Sequence, residues 1–286
     1  MSSTKSKSRP KKVPLGSSPA LNAPKYGASG PFEFSQWGFD KNKLSLVREN
    51  KAPKKLKLQT NTISIEIDIY KTVVMVIDMQ NDFCHPKGWF GQKGIGVQAM
   101  RKPIPVLKKL LPAWRNLGGR VLWLNWGVRA DALNLPPLLQ FKSKLSANAQ
   151  MDGVGYAESS PNDLGPSVVP GHWGAQVVDE LILQAQDIQV YKHRLSGFWD
   201  NELDSILRMH GITTILFAGV NTDRCVFSTL QDAAFIGYDC ILIKDACSTP
   251  SPAYVSKAIY FLIEKLHGFI SSSDSITQSK PTKPKE

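Results

Sequence analysis

Short apolar runs and longer amphipathic stretches alternate along most of the chain. VVMVID (73–78) is a β-branched run with no room for a helix, so it reads as a buried strand. Residues 97–117 carry helical spacing and end at Gly118-Gly119. VLWLNW (121–126) is the next strand, followed by a long stretch (127–170) rich in Pro, Gly and Asn that reads as irregular. The alternation resumes with a helix at 175–182, a strand at 187–192 and a helix at 202–211. A strand at 213–220, a helix at 224–237 and a strand at 239–246 come next. The last elements are a helix at 251–268 and a short strand, GFISS. Gly211, Gly237 and Gly268 each close one of these helices. Strands that alternate with helices predict an α/β fold of three layers, α/β/α, around a mainly parallel, Rossmann-like sheet. Strands 73–78 and 213–220 are continuously apolar and are expected at its centre.

The ends of the chain differ in composition. Residues 1–60 hold 13 Lys+Arg against 3 Asp+Glu, whereas residues 61–270 hold 19 of each. The basic pI therefore belongs to the arm, and nucleic acid is not an expected partner of the body. Residues 1–30 lack hydrophobic periodicity and read as a disordered basic tail. Residues 31–60 carry Phe32, Phe34, Trp37 and Phe39 and read as an arm that packs on the body or on a partner subunit. A single domain is expected over 61–272, with a tail at 273–286. No apolar run reaches the roughly 18 residues of a membrane span, and no apolar leader opens the chain. A cytoplasmic protein is expected, with organellar or nuclear targeting by the basic tail left open.

The chemistry follows from where strands end. In parallel sheets, ligands bind beyond the carboxyl ends of the strands. Asp78 and Lys192 end two strands, and Cys225 opens the helix after a third. A thiol at a helix start is expected to have a lowered pKa. A carboxylate beside it can take its proton, and an ammonium can hold both anions. Each residue alone has a plainer reading: a helix cap for Asp78, a solvated side chain for Lys192, a small core residue for Cys225. Their convergence on one edge favours acyl transfer. Cys84 and His85 lie next to the Asp78 motif and could mimic a Cys/His pair, but adjacent residues rarely face each other, so a loop role is read for them, and Cys240 falls inside a strand. The four cysteines form no CxxC pair and no Cys/His cluster with zinc spacing.

Three segments carry a family resemblance. VVMVIDMQNDF (73–83), KHRLSGFWDNELDSILRMHGI (192–212) and GVNTDRCVFSTLQDAAFIGYDCILIKDAC (219–247) occur in order. Together they resemble the isochorismatase-like cysteine hydrolases, closest in motif to the ureidoacrylate/biuret amidohydrolase branch. The resemblance implies that fold and a triad in which Asp78 is the acid/base, Lys192 the electrostatic partner and Cys225 the nucleophile. It also implies a cis peptide at Val220–Asn221 and an oxyanion hole built from the N–H groups of Asn221 and Cys225.

The implied activity is hydrolysis of a linear amide or ureide through a thioester, without a cofactor, in a homo-oligomer. Two rivals are isochorismate hydrolysis and a non-catalytic scaffold of the same fold. The resemblance makes Cys225 an argument against the first, because isochorismatases proper lack it. Nicotinamidases carry an Asp-x-His metal motif where this chain reads NWGVRAD (125–131), so no metal is expected. Asn125 either hydrogen-bonds a substrate amide or satisfies its own loop. Tyr156, Phe198 and Trp199 are read as walls of an apolar pocket or as simple packing, and His267 as a substrate contact at the sheet edge.

Overall fold

The computed structural model describes residues 52–159 and 164–278, with the backbone of β1 (Gly38–Asp40) and β2 (Lys43–Ser45). The expected disordered tail at 1–30 and the aromatic residues Phe32, Phe34 and Trp37 lie outside these residues, as does the end of the chain from 279.

Six parallel strands form the main sheet: β5 (Thr72–Ile77), β6 (Arg120–Trp126), β7 (Ile188–Lys192), β8 (Thr214–Val220), β9 (Asp239–Ser248) and β10 (Phe269–Ser271). Their order is β10-β9-β8-β5-β6-β7, and every neighbouring pair is parallel. Alternate residues of a strand point to opposite faces. All of β5 and all of β8 are buried, so both faces of the sheet are covered. These are the two strands expected at the centre, and they lie there side by side. After β5 the chain builds outward through β6 and β7, then returns to β8 and builds the other way. The crevice between the carboxyl ends of β5 and β8 is thus the point where strand order reverses, the usual place for a ligand in such sheets.

The helices are short except for α4 (Pro103–Asn116), whose leading prolines suit a helix start. Short helices α1 (Asn81–Cys84), α2 (Trp89–Gln92) and α3 (Gln98–Arg101) lead into it. Beyond it come α5 (Pro137–Ser143), α6 (Leu203–Met209), α7 (Phe227–Phe235), α8 (Ala253–Leu262) and α9 (Asp274–Thr277). Among the described residues no helix is long and apolar enough to cross a membrane.

Four expectations need correction. A hairpin of β3 (Lys55–Gln59) and β4 (Ser64–Asp68) straddles the boundary expected at residue 60. Leu56 and Leu58 alternate with solvent-facing Lys55, Lys57 and Gln59 and are buried in the core, a period-two pattern that the lysine content disguised. The tail expected from 273 begins instead as α9, with Ile276 buried. The stretch 127–170 is not wholly irregular, since it contains α5.

The helix expected at 175–182 is absent. A 3-10 turn (Trp173–Ala175) ends there, and the chain continues as a strap. Val177 bridges Gln80, and the Val178 N–H donates to the Met79 carbonyl. Val178 and Leu181 are buried all the same. Tertiary pairing with the segment after β5 overrides the local helical period.

Candidate active site

Asp78 follows the last residue of β5 and has a left-handed backbone (φ 53°), a conformation that Asp tolerates better than most residues. Its N–H donates to the Leu124 carbonyl of β6. One strand over, Gly219 has φ 113°, and a Cβ there would sit 2.1 Å from the Ile77 carbonyl oxygen. Only glycine lets β8 approach the end of β5 so closely. One residue further on, the Val220–Asn221 peptide bond is cis. The chain then makes one wide turn of π-helix over Thr222–Val226 before α7, and Cys225 lies in that turn. The opening of the predicted helix at 224–237 is therefore not regular α-helix.

Lys192 is the last residue of β7, two strands away from Asp78. It pairs in register with Trp126 at the end of β6. Its fully buried Nζ lies 3.0 Å from Asp78 Oδ2 and 4.2 Å from the centre of the Trp126 ring, and also donates to the Arg194 carbonyl. The Trp126 Nε1–H points at Cys225 Sγ, 3.4 Å away. Asp78, Lys192 and Cys225 thus come from three strand ends and meet at one buried point, with Trp126 as a fourth member.

Burial governs the protonation of this cluster. It raises the Asp78 carboxyl above the ordinary carboxylate range, against the opposing charge of Lys192 and the neighbouring Cys225 and Trp126 donors. It also pushes the Cys225 thiol up to about 12, aided by the Asp78 charge, although Lys192 and the Trp126 N–H act the other way. This corrects the expectation of a lowered thiol pKa. The sequence shows a helix start but not the apolar burial or the adjacent carboxylate that outweigh it. Burial and the Asp78 charge thus favour the protonated thiol. Apart from the ion pair, neither Asp78 oxygen has a hydrogen bond of good geometry among the described residues, so lone pairs remain for a proton.

The cluster floors a cavity of about 510 Å³. Phe83, Trp89, Phe90, Trp126 and Tyr156 supply aromatic walls, and Asn221 and Arg224 lie beside Cys225. Tyr156 stacks on Trp126 (4.9 Å) and meets Trp89 at a tilt (4.8 Å). Of the five side chains expected to touch substrate, Tyr156 alone lines this space. Asn125 is buried one residue before Trp126, so the alternation of the strand turns it to the other face. Phe198 packs against Tyr238, and the Trp199 indole is largely exposed and donates to Asp232. His267 lies against Phe227 and Phe235. These four do not line the cavity, whose wall comes instead from α1, α2, the end of β6 and the segment that carries α5 and Tyr156.

Several contributors went unread in the sequence. Trp126 ends a strand at the same edge as Asp78 and Lys192, which was a usable signal. Gln80 clamps Trp126 from both sides: its Oε1 accepts from the Trp126 N–H at 2.8 Å and its Nε2 donates to the Trp126 carbonyl at 2.9 Å. Asp82 accepts from the Trp89 and Val168 N–H groups and so ties two loops around the cavity. Lys93, from a segment with no clear periodicity, projects into the cavity. The other cysteines are buried, with Cys84 near the Asp78 and Met100 carbonyls. Among the described residues, no group of three His, Cys, Asp or Glu is arranged to hold a metal ion.

Comparison with known proteins agrees with this architecture. The chain is 33% identical over 214 residues to the ureidoacrylate amidohydrolase RutB of Caulobacter segnis, covering 73% of this chain and 85% of the relative. Its fold is similar to that of a cysteine hydrolase from Pseudomonas syringae pv. phaseolicola (TM-score 0.61, 23% identity, 74% of this chain and 93% of the other). It also resembles the N-carbamoylsarcosine amidase of Thermoplasma acidophilum (TM-score 0.54, 24% identity, 71% and 97%). Residues 72–274 match the Isochorismatase domain, and the chain belongs to the isochorismatase family of hydrolases.

Proposed function

We propose that this protein hydrolyses the C–N bond of a linear amide or ureide through a thioester on Cys225. One observation carries the reading: a buried carboxylate–ammonium pair, Asp78 and Lys192, faces a buried thiol at the floor of the cavity. The similarity to a ureidoacrylate amidohydrolase supports ureidoacrylate-like or biuret-like substrates.

The steps follow from the protonation states. Asp78 takes the Cys225 proton as the sulfur attacks the substrate carbonyl, so the thiolate exists only as the bond forms. The Trp126 N–H and the Lys192 charge hold the developing sulfur anion. The N–H groups of Asn221 and Cys225 receive the carbonyl oxygen as it gains charge. Collapse breaks the C–N bond, and Asp78 returns the proton to the leaving ammonia or amine. Water then gives a proton to Asp78 and attacks the thioester, and the second collapse returns that proton to the sulfur. The raised pKa of Asp78 suits a group that must both accept and donate near neutral pH.

The test is a panel of linear amides and ureides scored for ammonia release, with acid-quenched protein weighed for a covalent adduct on Cys225. Ammonia release with an adduct that is absent from Cys225→Ala is the expected result. Pyruvate release from isochorismate without such an adduct would instead establish non-covalent vinyl-ether chemistry.

A further inference from the structure

The cavity contains a second buried lysine that the chemistry above does not use. Lys93 follows α2 and is 7% exposed. Its Nζ donates to the Ser143 carbonyl and lies 4.4 Å from the centre of the Trp89 ring. Among the described residues no carboxylate lies within ion-pair distance of it. The cavity also bears Lys142 and Arg224, and its one carboxylate is Asp78, already paired with Lys192. A carbonyl and a ring face offset a buried ammonium only in part, since burying a charge without a counter-charge is costly. Burial accordingly lowers the Lys93 pKa to about 8. An anion arriving in the cavity would supply what this ammonium lacks.

The rings between the two ends give the ligand a shape. Lys93 lies over Trp89, Trp89 contacts Tyr156, Tyr156 stacks on Trp126, and Trp126 donates to Cys225. An aromatic track therefore runs from the unpaired cation to the nucleophile. Flat faces of this kind suit a planar, conjugated chain.

We propose that Lys93 is the anion-recognition residue of the cavity, and that the substrate is a small monocarboxylate whose chain lies along Trp89, Tyr156 and Trp126 with its amide carbonyl at Cys225. The placing of the carbonyl rests on the hydrolase reading; the recognition of the carboxylate by Lys93 does not. Lys93 selects among amides, so neutral ureides such as biuret are poor substrates.

The experiment compares 3-ureidoacrylate and 3-ureidopropionate with N-propylurea, which is similar in size but carries no carboxylate. Ammonia release is measured for the wild type and for Lys93→Met, and binding to both is measured by calorimetry in a Cys225→Ala background. Methionine fills similar space and removes a buried charge, so the fold is kept; Lys93→Gln is the second variant. Losing a charge-assisted contact should lower the acid-to-neutral ratio of kcat/KM by about 100-fold. In the Cys225→Ala background, carboxylate binding should weaken by a similar factor.

An unchanged ratio overturns the assignment, as does carboxylate binding that does not depend on Lys93 or is absent. If the acids bind through Lys93 but no substrate releases ammonia, the hydrolase reading fails and the assignment of Lys93 stands. If N-propylurea is cleaved as fast as the acids, hydrolysis stands and the assignment fails.

Discussion

Lys192 Nζ sits 3.0 Å from Asp78 Oδ2, and both side chains are almost wholly shut off from water. Such a pair holds its partners in place more than it stabilises the fold, because both charges have lost their hydration. Removing one partner leaves the other buried and uncompensated. Lys192→Met should therefore cost about 3–5 kcal/mol of stability by urea unfolding. The double change Lys192→Met/Asp78→Asn should recover much of that loss. Additive losses would show that the two residues do not act as a pair.

In the proposed mechanism the three residues act together. Cys225→Ala, Cys225→Ser and Asp78→Asn should each lower kcat by about a thousandfold or more, and combining them should add little. Alanine at Cys84, Cys240 or Cys247 should leave turnover within about tenfold where packing survives. Near-normal ammonia release by Cys225→Ala would mean that the nucleophile lies elsewhere.

Asp78 must be ionised to accept the thiol proton, and burial raises its pKa. Activity should therefore fall on acidification at a pH above the ordinary aspartate range. The acid limb of the kcat/KM profile measures this, and an acid limb at or below the pKa of a free aspartate would contradict the base role.

Trp126→Phe keeps a ring over Lys192 but deletes the N–H that points at the sulfur. A hydrogen bond to a charged group is worth about 1.5–3 kcal/mol, so kcat should drop by about 10- to 100-fold. The alkylation rate of Cys225 at fixed pH should drop with it, since less thiolate forms. Loss of turnover with an unchanged alkylation rate would point to ring packing instead.

His210 ends α6 in a buried position, and burial, reinforced by the nearby Arg120 charge, lowers its pKa to about 4. In the unfolded chain an imidazole titrates near 6.5. Between these values the unfolded state binds the extra proton, so stability is full above about 6.5 and declines as the pH falls toward 4. Urea midpoints measured across that window should slope less for His210→Gln than for the wild type. Parallel slopes would show that other groups cause the acid sensitivity.

The sheet, and the meeting of Asp78, Lys192 and Cys225 at one edge of it, were legible because both depend on short, local signals. Continuous β-branched runs can lie only in a doubly covered strand, and a functional side chain one residue past such a run is delivered to the ligand edge. What failed depended on distant partners. Residues 175–182 carry a helical period, but Val177 and Val178 are claimed by Gln80 and Met79 across about a hundred residues. Most of the cavity wall escaped for the same reason, since Trp89 on α2 and Lys93 just after it are placed by distant groups such as Asp82; of the wall, Tyr156 was read. Asn125 shows the opposite limit: its distance along the chain from the site was read well, but one step along a strand changes the face.

The reversal of strand order between β5 and β8 divides the clustered side chains between two stretches of chain. A cut anywhere between Lys192 and Thr214 would leave Asp78, Trp126 and Lys192 on one fragment and Cys225 on the other. Neither fragment alone would hold a base beside a nucleophile. In the proposed mechanism, ammonia release from two co-expressed pieces would report their reassembly, and the ribosome faces the same constraint: Asp78, made early, waits for more than a hundred further residues before Cys225 exists.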